Sequence, residues 1–237
     1  MPYYRQQNWL FIHIPKTAGG SVEKALGIYY NPDEKQIYSR LKAIPQKFKA
    51  KVNQLLFPVN NQNNQELKYL RGVKPYPLSL WHLTLREIEL LNFIPPDILQ
   101  STFKFCVVRN PWQRAISTFY THNRYRKYQS FRDFCYEWYG KDCQITHDEF
   151  AHSRPQLDFI VDLKGENAMD YILRFENLQQ DFIRLAEKLE LDNKQLPHLH
   201  RHGGSVSANY RDMYTDETRK KIHQLFECDI DYFRYTF

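Results

Sequence analysis

The chain has 237 residues, of which 42% are hydrophobic and 25% charged, a size and balance that fit one globular domain with a substantial core. Its net charge of +6 and pI ≈ 9.0 favour anionic partners such as nucleotides, polyanionic glycans, nucleic acid or acidic membrane surfaces. The chain lacks an apolar run of about 18 residues, a signal-peptide pattern and C-x-x-C spacing, so we expect a soluble, cytoplasmic protein with reduced core thiols and neither a zinc site nor a dense disulfide framework.

The first predicted element is a strand that leads through a glycine loop into a helix. The apolar run Trp9–Ile12 predicts the strand, residues 13–21 (H-I-P-K-T-A-G-G-S) the loop, and residues 22–26 the helix. Glycines let backbone N–H groups approach a ligand, the helix start adds unpaired donors, and Lys16 and Ser21 add a charge and a hydroxyl. The pattern indicates a phosphate or sulfate site, with an ordinary surface turn as the alternative.

This loop differs from the Walker A loop of nucleotide hydrolases. In G-x-x-x-x-G-K-[ST] the lysine follows the second glycine, whereas Lys16 precedes Gly19 and Gly20. An ordinary ATPase is therefore not the first interpretation.

The order of apolar runs predicts the fold class. Strands are predicted at residues 9–14, 103–108, 159–163 and 171–175, with helical patterns between them. Such alternation is typical of an α/β domain with a mainly parallel sheet. We expect a single domain over residues 1–237, with an irregular, polar and basic insertion at residues 31–77.

A helix start follows the predicted insertion. Thr84 and Glu87 have the spacing of a capping box and precede an apolar helical pattern. This places His82 just before the helix.

A second anion site is predicted after the strand at 103–108. Asn110 is a plausible N-cap, Pro111 suits the first helical position, and Arg109 leaves the carboxyl end of the strand. Ligands of open α/β sheets gather at that edge, so Arg109 and the loop around Lys16 are expected to face one crevice. Ser117, about two turns into the helix, adds a hydroxyl. The alternative is that Arg109 or its neighbour Arg114 pairs with a carboxylate.

Four motifs in this order resemble the sulfotransferases that use 3′-phosphoadenosine 5′-phosphosulfate (PAPS), in particular the carbohydrate branch and its bacterial relatives. They are residues 13–21, 82–84, 108–112 with Ser117, and 174–178. The resemblance implies a P-loop-like, three-layer α/β fold with helices flanking the central sheet. It also implies sulfuryl transfer to an acceptor hydroxyl, on a carbohydrate or glycolipid, without a metal.

The resemblance also assigns roles to individual residues. It implies that the 5′-phosphosulfate is held by Lys16, Thr17, Ala18, Gly19, Gly20 and Ser21. It implies that Arg109 and Ser117 bind the 3′-phosphate. His82 lies where the family has its proposed general base. Arg201 and Ser205, in a loop near the C-terminus, are implied as further cofactor contacts. Lys16 is expected to stabilise charge on the leaving oxygen. Gly20 departs from the family, which often has Thr there, and so lacks a side-chain donor.

Three weaker signals stay open between function and structure. His152 and Gln156 belong to an H-x-x-P-Q stretch that suits either the active-site cleft or loop shaping, and Arg174 and Glu176 are expected to support the fold. The three histidines within residues 198–202 imitate a metal site only superficially, because no carboxylate or thiolate pattern accompanies them.

Two other functions compete with sulfuryl transfer. A nucleotide-dependent kinase would explain a phosphate loop but should carry a Walker A lysine and a carboxylate for Mg²⁺. A non-enzymatic polyanion-binding protein would explain the high pI but would not need His82 beside a cofactor crevice. Nucleic acid is not the expected partner.

Overall fold

A computed structural model of the protein describes residues 3–4, 7–27, 82–90, 92, 94–122, 128–139, 147–197 and 209–237. Several sequence predictions lie outside the described residues: the insertion at 31–77, the cofactor contacts Arg201 and Ser205, and the histidines within 198–202.

The described strands form one sheet in the order β1-β2-β3-β4, which comprises β1 (Tyr3–Tyr4), β2 (Trp9–Ile12), β3 (Phe103–Val108) and β4 (Tyr171–Arg174). β1 is antiparallel to β2, whereas β2, β3 and β4 are mutually parallel. Ile12 pairs with Cys106, and Val108 pairs with Arg174. The prediction of a mainly parallel sheet is confirmed.

Ten α-helices occur within the described ranges: α1 (Gly19–Ala25), α2 (Leu85–Leu90), α3 (Pro96–Ser101), α4 (Pro111–His122), α5 (Phe131–Glu137), α6 (His147–Ser153), α7 (Leu157–Ile160), α8 (Leu178–Lys188), α9 (Asp216–Leu225) and α10 (Glu227–Phe233). None of these is both long and apolar enough to cross a membrane.

The sheet is covered by helices on both faces. Successive strand residues point to opposite sides, so Leu10 and Ile12 pack in one apolar cluster with side chains of α4, α5, α9 and α10. Phe11 and Phe105 pack in the other cluster, with side chains of α1 and α8. This arrangement is the three-layer α/β fold that the resemblance implies.

Two predicted helix starts are confirmed by their hydrogen bonds. Thr84 Oγ1 accepts the N–H of Glu87 at 3.1 Å, and a Glu87 carboxylate oxygen accepts the N–H of Thr84 at 2.7 Å, which is a complete capping box. Asn110 Oδ1 accepts the N–H of Trp112 at 3.1 Å, and Pro111 is the first residue of α4. Both caps fix the segments that carry candidate site residues.

The strand predicted at residues 159–163 is wrong. The first two residues of this run end helix α7, and Val161 forms only an isolated bridge. Periodicity cannot separate so short an apolar run from a buried helix. The deciding group is Asp229 of α10, whose carboxylate accepts the N–H of Leu157 at 2.8 Å and so supplies a partner to the start of α7.

Two cysteines are core residues, as expected. Cys106 in β3 and Cys135 in α5 are free thiols, and both are fully buried. Burial raises the pKa of both, that of Cys135 to about 12, so they remain protonated and unreactive at neutral pH.

Candidate active site

The segments that follow three parallel strands lie at one edge of the sheet. β2 is followed by residues 13–20, called the glycine loop below, β3 by Arg109, and β4 by Phe175. Parallel strands share the edge at which their carboxyl ends lie, and open α/β sheets bind their ligands there. The glycine loop and Arg109 therefore meet, as the sequence predicts.

Three successive carbonyl groups of the glycine loop are held from within the protein. The carbonyls of residues 14, 15 and 16 accept hydrogen bonds from Thr17 Oγ1 at 2.9 Å, Arg114 Nε at 3.0 Å and Arg109 Nη1 at 3.2 Å, respectively. In a trans peptide the N–H points opposite to the C=O. The N–H groups of the two peptides after Pro15 therefore point away from the arginines.

The backbone of the loop is bent by left-handed residues. Lys16 has φ 68 and Ala18 has φ 72, in a region that residues other than glycine seldom adopt. Among the described residues, no group accepts a hydrogen bond from the backbone N–H of Thr17, Ala18, Gly19 or Gly20. Left-handed turns that present successive N–H groups form concavities for anions. The loop has the form of such a concavity.

Gly19 is required by packing against a histidine. A Cβ at this position would overlap the imidazole ring of His13. That ring is held from the other side, because its Nδ1 lies 2.7 Å from Oε1 of Glu23, a buried residue of α1. His13 therefore packs against α1 between Gly19 and Glu23, which is a structural role.

The side chains of the loop differ in what they leave for a ligand. Thr17 is fully buried and its hydroxyl donates to Ile14, so only its backbone N–H can serve a ligand. The Ser21 hydroxyl, in the first turn of α1, makes no hydrogen bond to any described residue. Lys16 and Gly20 are half-buried.

Arg109 is stacked and charged beside this loop. Its guanidinium carbon lies 3.8 Å from the centroid of the Phe175 ring. Its buried Nε has no acceptor in the described part of the chain. Burial lowers the pKa of Arg109 to about 10 and Glu176 opposes that shift, so the group is charged at neutral pH. A cation with an N–H to spare beside the glycine loop is suited to an anionic ligand.

Ser117 is less closely connected. It lies on α4, half-buried, and its hydroxyl makes no hydrogen bond within the described ranges. No hydrogen bond joins it to Arg109, so its predicted part in the same anion site stays a prediction.

His82 reaches the glycine loop from the segment before α2. Its Nδ1 lies 3.0 Å from the carbonyl oxygen of His13. A carbonyl only accepts, so Nδ1 carries the proton, and in the neutral ring the lone pair is on Nε2. His82 has φ 65, and its ring packs edge-to-face against those of His13 at 4.8 Å and His152 at 5.3 Å. Backbone and ring are both fixed.

A family model described as the sulfotransferase family matches residues 3–236, which include the glycine loop, His82 and Arg109. This chain belongs to the sulfotransferase family. The resemblance read from four short motifs is confirmed at the level of the family. Comparisons with curated proteins and with solved structures give no match.

In this sulfotransferase, the H-x-x-P-Q stretch connects two parts of the site. His152 is buried, with its ring 5.3 Å from that of His82 and 4.8 Å from that of His122. Gln156 is also buried and bonds to the main chain of Arg109. Both residues lie behind the candidate site.

Arg174 and Glu176 have separate structural partners. Arg174 donates to the carbonyl of Phe233 at 2.8 Å, and Glu176 accepts the N–H of Asn110 at 2.6 Å. The two residues tie the end of β4 to α10 and to the start of α4, as their expected support of the fold requires.

The sequence alone does not predict the contacts of Arg114 and Asp229. Arg114, expected as a possible carboxylate partner, binds the carbonyls of Pro15 and Arg154. Asp229 accepts hydrogen bonds from the main-chain N–H groups of Gln156 and Leu157. The position of Arg114 in the buried stripe of α4 indicates a role inside the protein, whereas the acidic C-terminal helix carries no such signal for Asp229.

Within the described ranges, no group of three or more histidine, cysteine, aspartate or glutamate residues is arranged to hold a metal ion.

Proposed function

We propose that this sulfotransferase transfers the sulfuryl group of PAPS to a hydroxyl of a carbohydrate or glycolipid, with His82 as the general base. The observation that carries the proposal is the hydrogen bond of 3.2 Å from Arg109 Nη1 to the carbonyl of Lys16. It joins two segments that each suit an anion. A ligand with phosphate groups on both sides of a ribose matches such a pair of sites.

The residues of the site fit the two ends of this donor. The N–H groups of the glycine loop, with Lys16 and the Ser21 hydroxyl, would hold the 5′-phosphosulfate. Arg109, which is charged and has an Nε without an acceptor among the described residues, would hold the 3′-phosphate, with Ser117 as a second donor. When bound, PAPS supplies the sulfuryl group and an adenosine 3′,5′-bisphosphate leaving group.

His82 has the tautomer that a base at this point needs. Its Nδ1 proton is committed to the His13 carbonyl, so Nε2 is the nitrogen that takes the proton of the acceptor hydroxyl. The acceptor oxygen forms a bond to sulfur as the bond from sulfur to the 5′-phosphate oxygen breaks, and the proton ends on Nε2. The fixed ring keeps that nitrogen in one place during the transfer.

Lys16 acts at the other side of the transfer. Its ammonium stabilises the negative charge that develops on the leaving oxygen, and its left-handed backbone presents the neighbouring N–H groups to the same oxygens. Transfer of a sulfuryl group between oxygens resembles phosphoryl transfer, in which positioning and charge stabilisation supply most of the rate.

Thermal unfolding with a panel of ligands tests the proposal. We expect adenosine 3′,5′-bisphosphate to raise the Tm and AMP to raise it much less, because the 3′-phosphate engages Arg109. ATP with Mg²⁺ as the best ligand would favour the kinase, and a rise with heparin alone would favour the polyanion-binding protein. No rise with millimolar bisphosphate would contradict the PAPS site.

A further inference from the structure

The main chain of Arg109 is held by one buried side chain. The β3–β4 ladder ends at the pair Val108 and Arg174, so Arg109 lies just beyond it. There the Gln156 amide takes over: its Oε1 accepts the N–H of Arg109 at 2.8 Å, and its Nε2 donates to the Arg109 carbonyl at 2.8 Å. Gln156 therefore pairs with both main-chain groups, as a residue of a neighbouring strand would.

Gln156 is itself held by Asp229 of α10. One carboxylate oxygen accepts the main-chain N–H of Gln156 at 2.8 Å and its Nε2 at 3.3 Å, and the other accepts the N–H of Leu157 at 2.8 Å. Both residues are 0% exposed. Because Nε2 faces two acceptors, the amide has a single orientation, and Oε1 must face Arg109.

The two ends of Arg109 are thus held by different partners. Its main chain is fixed by Gln156, while its guanidinium rests on the Phe175 ring and on the Lys16 carbonyl. If the main chain of Arg109 could shift, the position of its guanidinium would vary. The two hydrogen bonds from the Gln156 amide to the main chain of Arg109, called the clasp below, prevent this shift before any ligand binds.

We infer that Gln156, oriented by Asp229, is a positioning residue for recognition of the 3′-phosphate. The inference rests on the proposed function, because it assumes that Arg109 binds that phosphate. Its consequence is that the preference for a 3′-phosphorylated nucleotide depends on a residue that never touches the nucleotide.

The test is the ratio of the dissociation constants of AMP and adenosine 3′,5′-bisphosphate, measured by titration calorimetry. Gln156→Met keeps the length of the side chain and removes both bonds to Arg109. We expect the ratio to fall by about tenfold or more, the size of one charge-assisted hydrogen bond. The affinity for AMP, which lacks the 3′-phosphate, should stay the same.

A matched control comes from a second glutamine. Gln179 on α8 makes the same kind of clasp: its Nε2 donates to the Lys194 carbonyl at 2.8 Å, and its Oε1 accepts the N–H of Leu196 at 3.1 Å. Gln179→Met should leave the ratio of dissociation constants unchanged. If Gln156→Met does not fold, the milder Gln156→Asn, which keeps an amide one methylene shorter, decides the matter.

The outcomes separate this inference from the function beneath it. An unchanged ratio in the folded Gln156 variant, or an equal loss of affinity for both nucleotides, would overturn the positioning role. A wild-type protein without preference for the bisphosphate would instead refute the PAPS site itself.

Discussion

His82 combines a strained backbone with a ring held by its neighbours. A positive φ at a residue other than glycine costs free energy and persists where surrounding contacts impose it, which is frequent at functional sites. Here the contacts are the His13 carbonyl and the rings of His13 and His152. Together these contacts hold the backbone and the ring of His82 in one position.

The variant His82→Asn tests the base assignment. Asn tolerates the left-handed backbone and can keep a donor near the His13 carbonyl, but it offers no basic nitrogen. We expect turnover to fall by about 10²- to 10⁴-fold, while calorimetric affinity for adenosine 3′,5′-bisphosphate is retained. The acidic limb of the pH–rate profile should disappear with the imidazole. Full turnover on an oligosaccharide acceptor would remove His82 from the mechanism.

Gly19 offers a test of its packing against the ring of His13. Gly19→Ala should lower the free energy of unfolding by about 1–3 kcal/mol, since the added methyl overlaps the imidazole and the loop must shift. His13→Ala removes the obstacle, so Gly19→Ala should cost much less in that background. Urea unfolding of the four proteins measures the difference. Equal costs in both backgrounds would show that the ring is not what excludes a side chain.

The sequence predicts groups whose role follows from their place at the end of a strand. Arg109 and Lys16 could be brought together because parallel strands end at one edge. The hydrogen bonds of Gln156 to Arg109 and of Asp229 to Gln156 could not, since Gln156 follows a helix and Asp229 lies within one, so neither is placed by the end of a parallel strand. Nothing local in either segment predicts these contacts.

Helix α2 carries His82 at its entrance, so its cap matters beyond local stability. Thr84→Ala removes one half of the capping box and should lower the free energy of unfolding by about 1 kcal/mol. Thr84→Ser keeps the hydroxyl and should stay near the wild type. Urea unfolding compares the two. If both variants unfold like the wild type, the cap contributes nothing.

Elements with strong local signals were predicted well. β3 matches its predicted bounds, residues 103–108, because a run of apolar and aromatic residues has no competing pattern there. Residues 159–163 failed because α7 is started by a carboxylate from α10, a tertiary contact that outweighs the strand propensity of Val161.

Arg114 links segments that are distant in sequence. Its buried guanidinium binds the carbonyl of Pro15 in the glycine loop and that of Arg154 before α7. Burial raises the pKa of the Asp229 carboxyl, and the nearby charge of Arg114 opposes part of that rise. Arg114 thus offsets part of the cost of a buried carboxylate.

Arg114→Met should lower the free energy of unfolding by about 3 kcal/mol or more, because it leaves that carboxylate without a counter-charge. In the variant the pKa of folded Asp229, already raised, rises further, so on acidification the folded protein takes up a proton at a pH at which the unfolded chain does not. The loss in free energy of unfolding is therefore full at high pH and shrinks as the pH falls through the pKa of folded Asp229.

Chemical unfolding at pH 5 and pH 8 measures this change, with Arg114→Met/Asp229→Asn as the reference that lacks the buried carboxylate. A loss in free energy of unfolding that does not depend on pH would show that lost packing, rather than the unpaired carboxylate, is the cause. The proposed insertion at residues 31–77 stays a prediction, because it lies outside the described residues.

The hydrogen bond between Arg109 and the Lys16 carbonyl has a kinetic corollary. Under the proposed function, it holds the segments that bind the two phosphates together in advance, so a nucleotide with both phosphates would bind as a chelate whose second contact adds little entropic cost. Donor and spent nucleotide both keep these phosphates, so the chelate would not distinguish them. Departure of the spent nucleotide is therefore expected to set the pace of the catalytic cycle, and accumulated adenosine 3′,5′-bisphosphate to act as a strong competitive inhibitor.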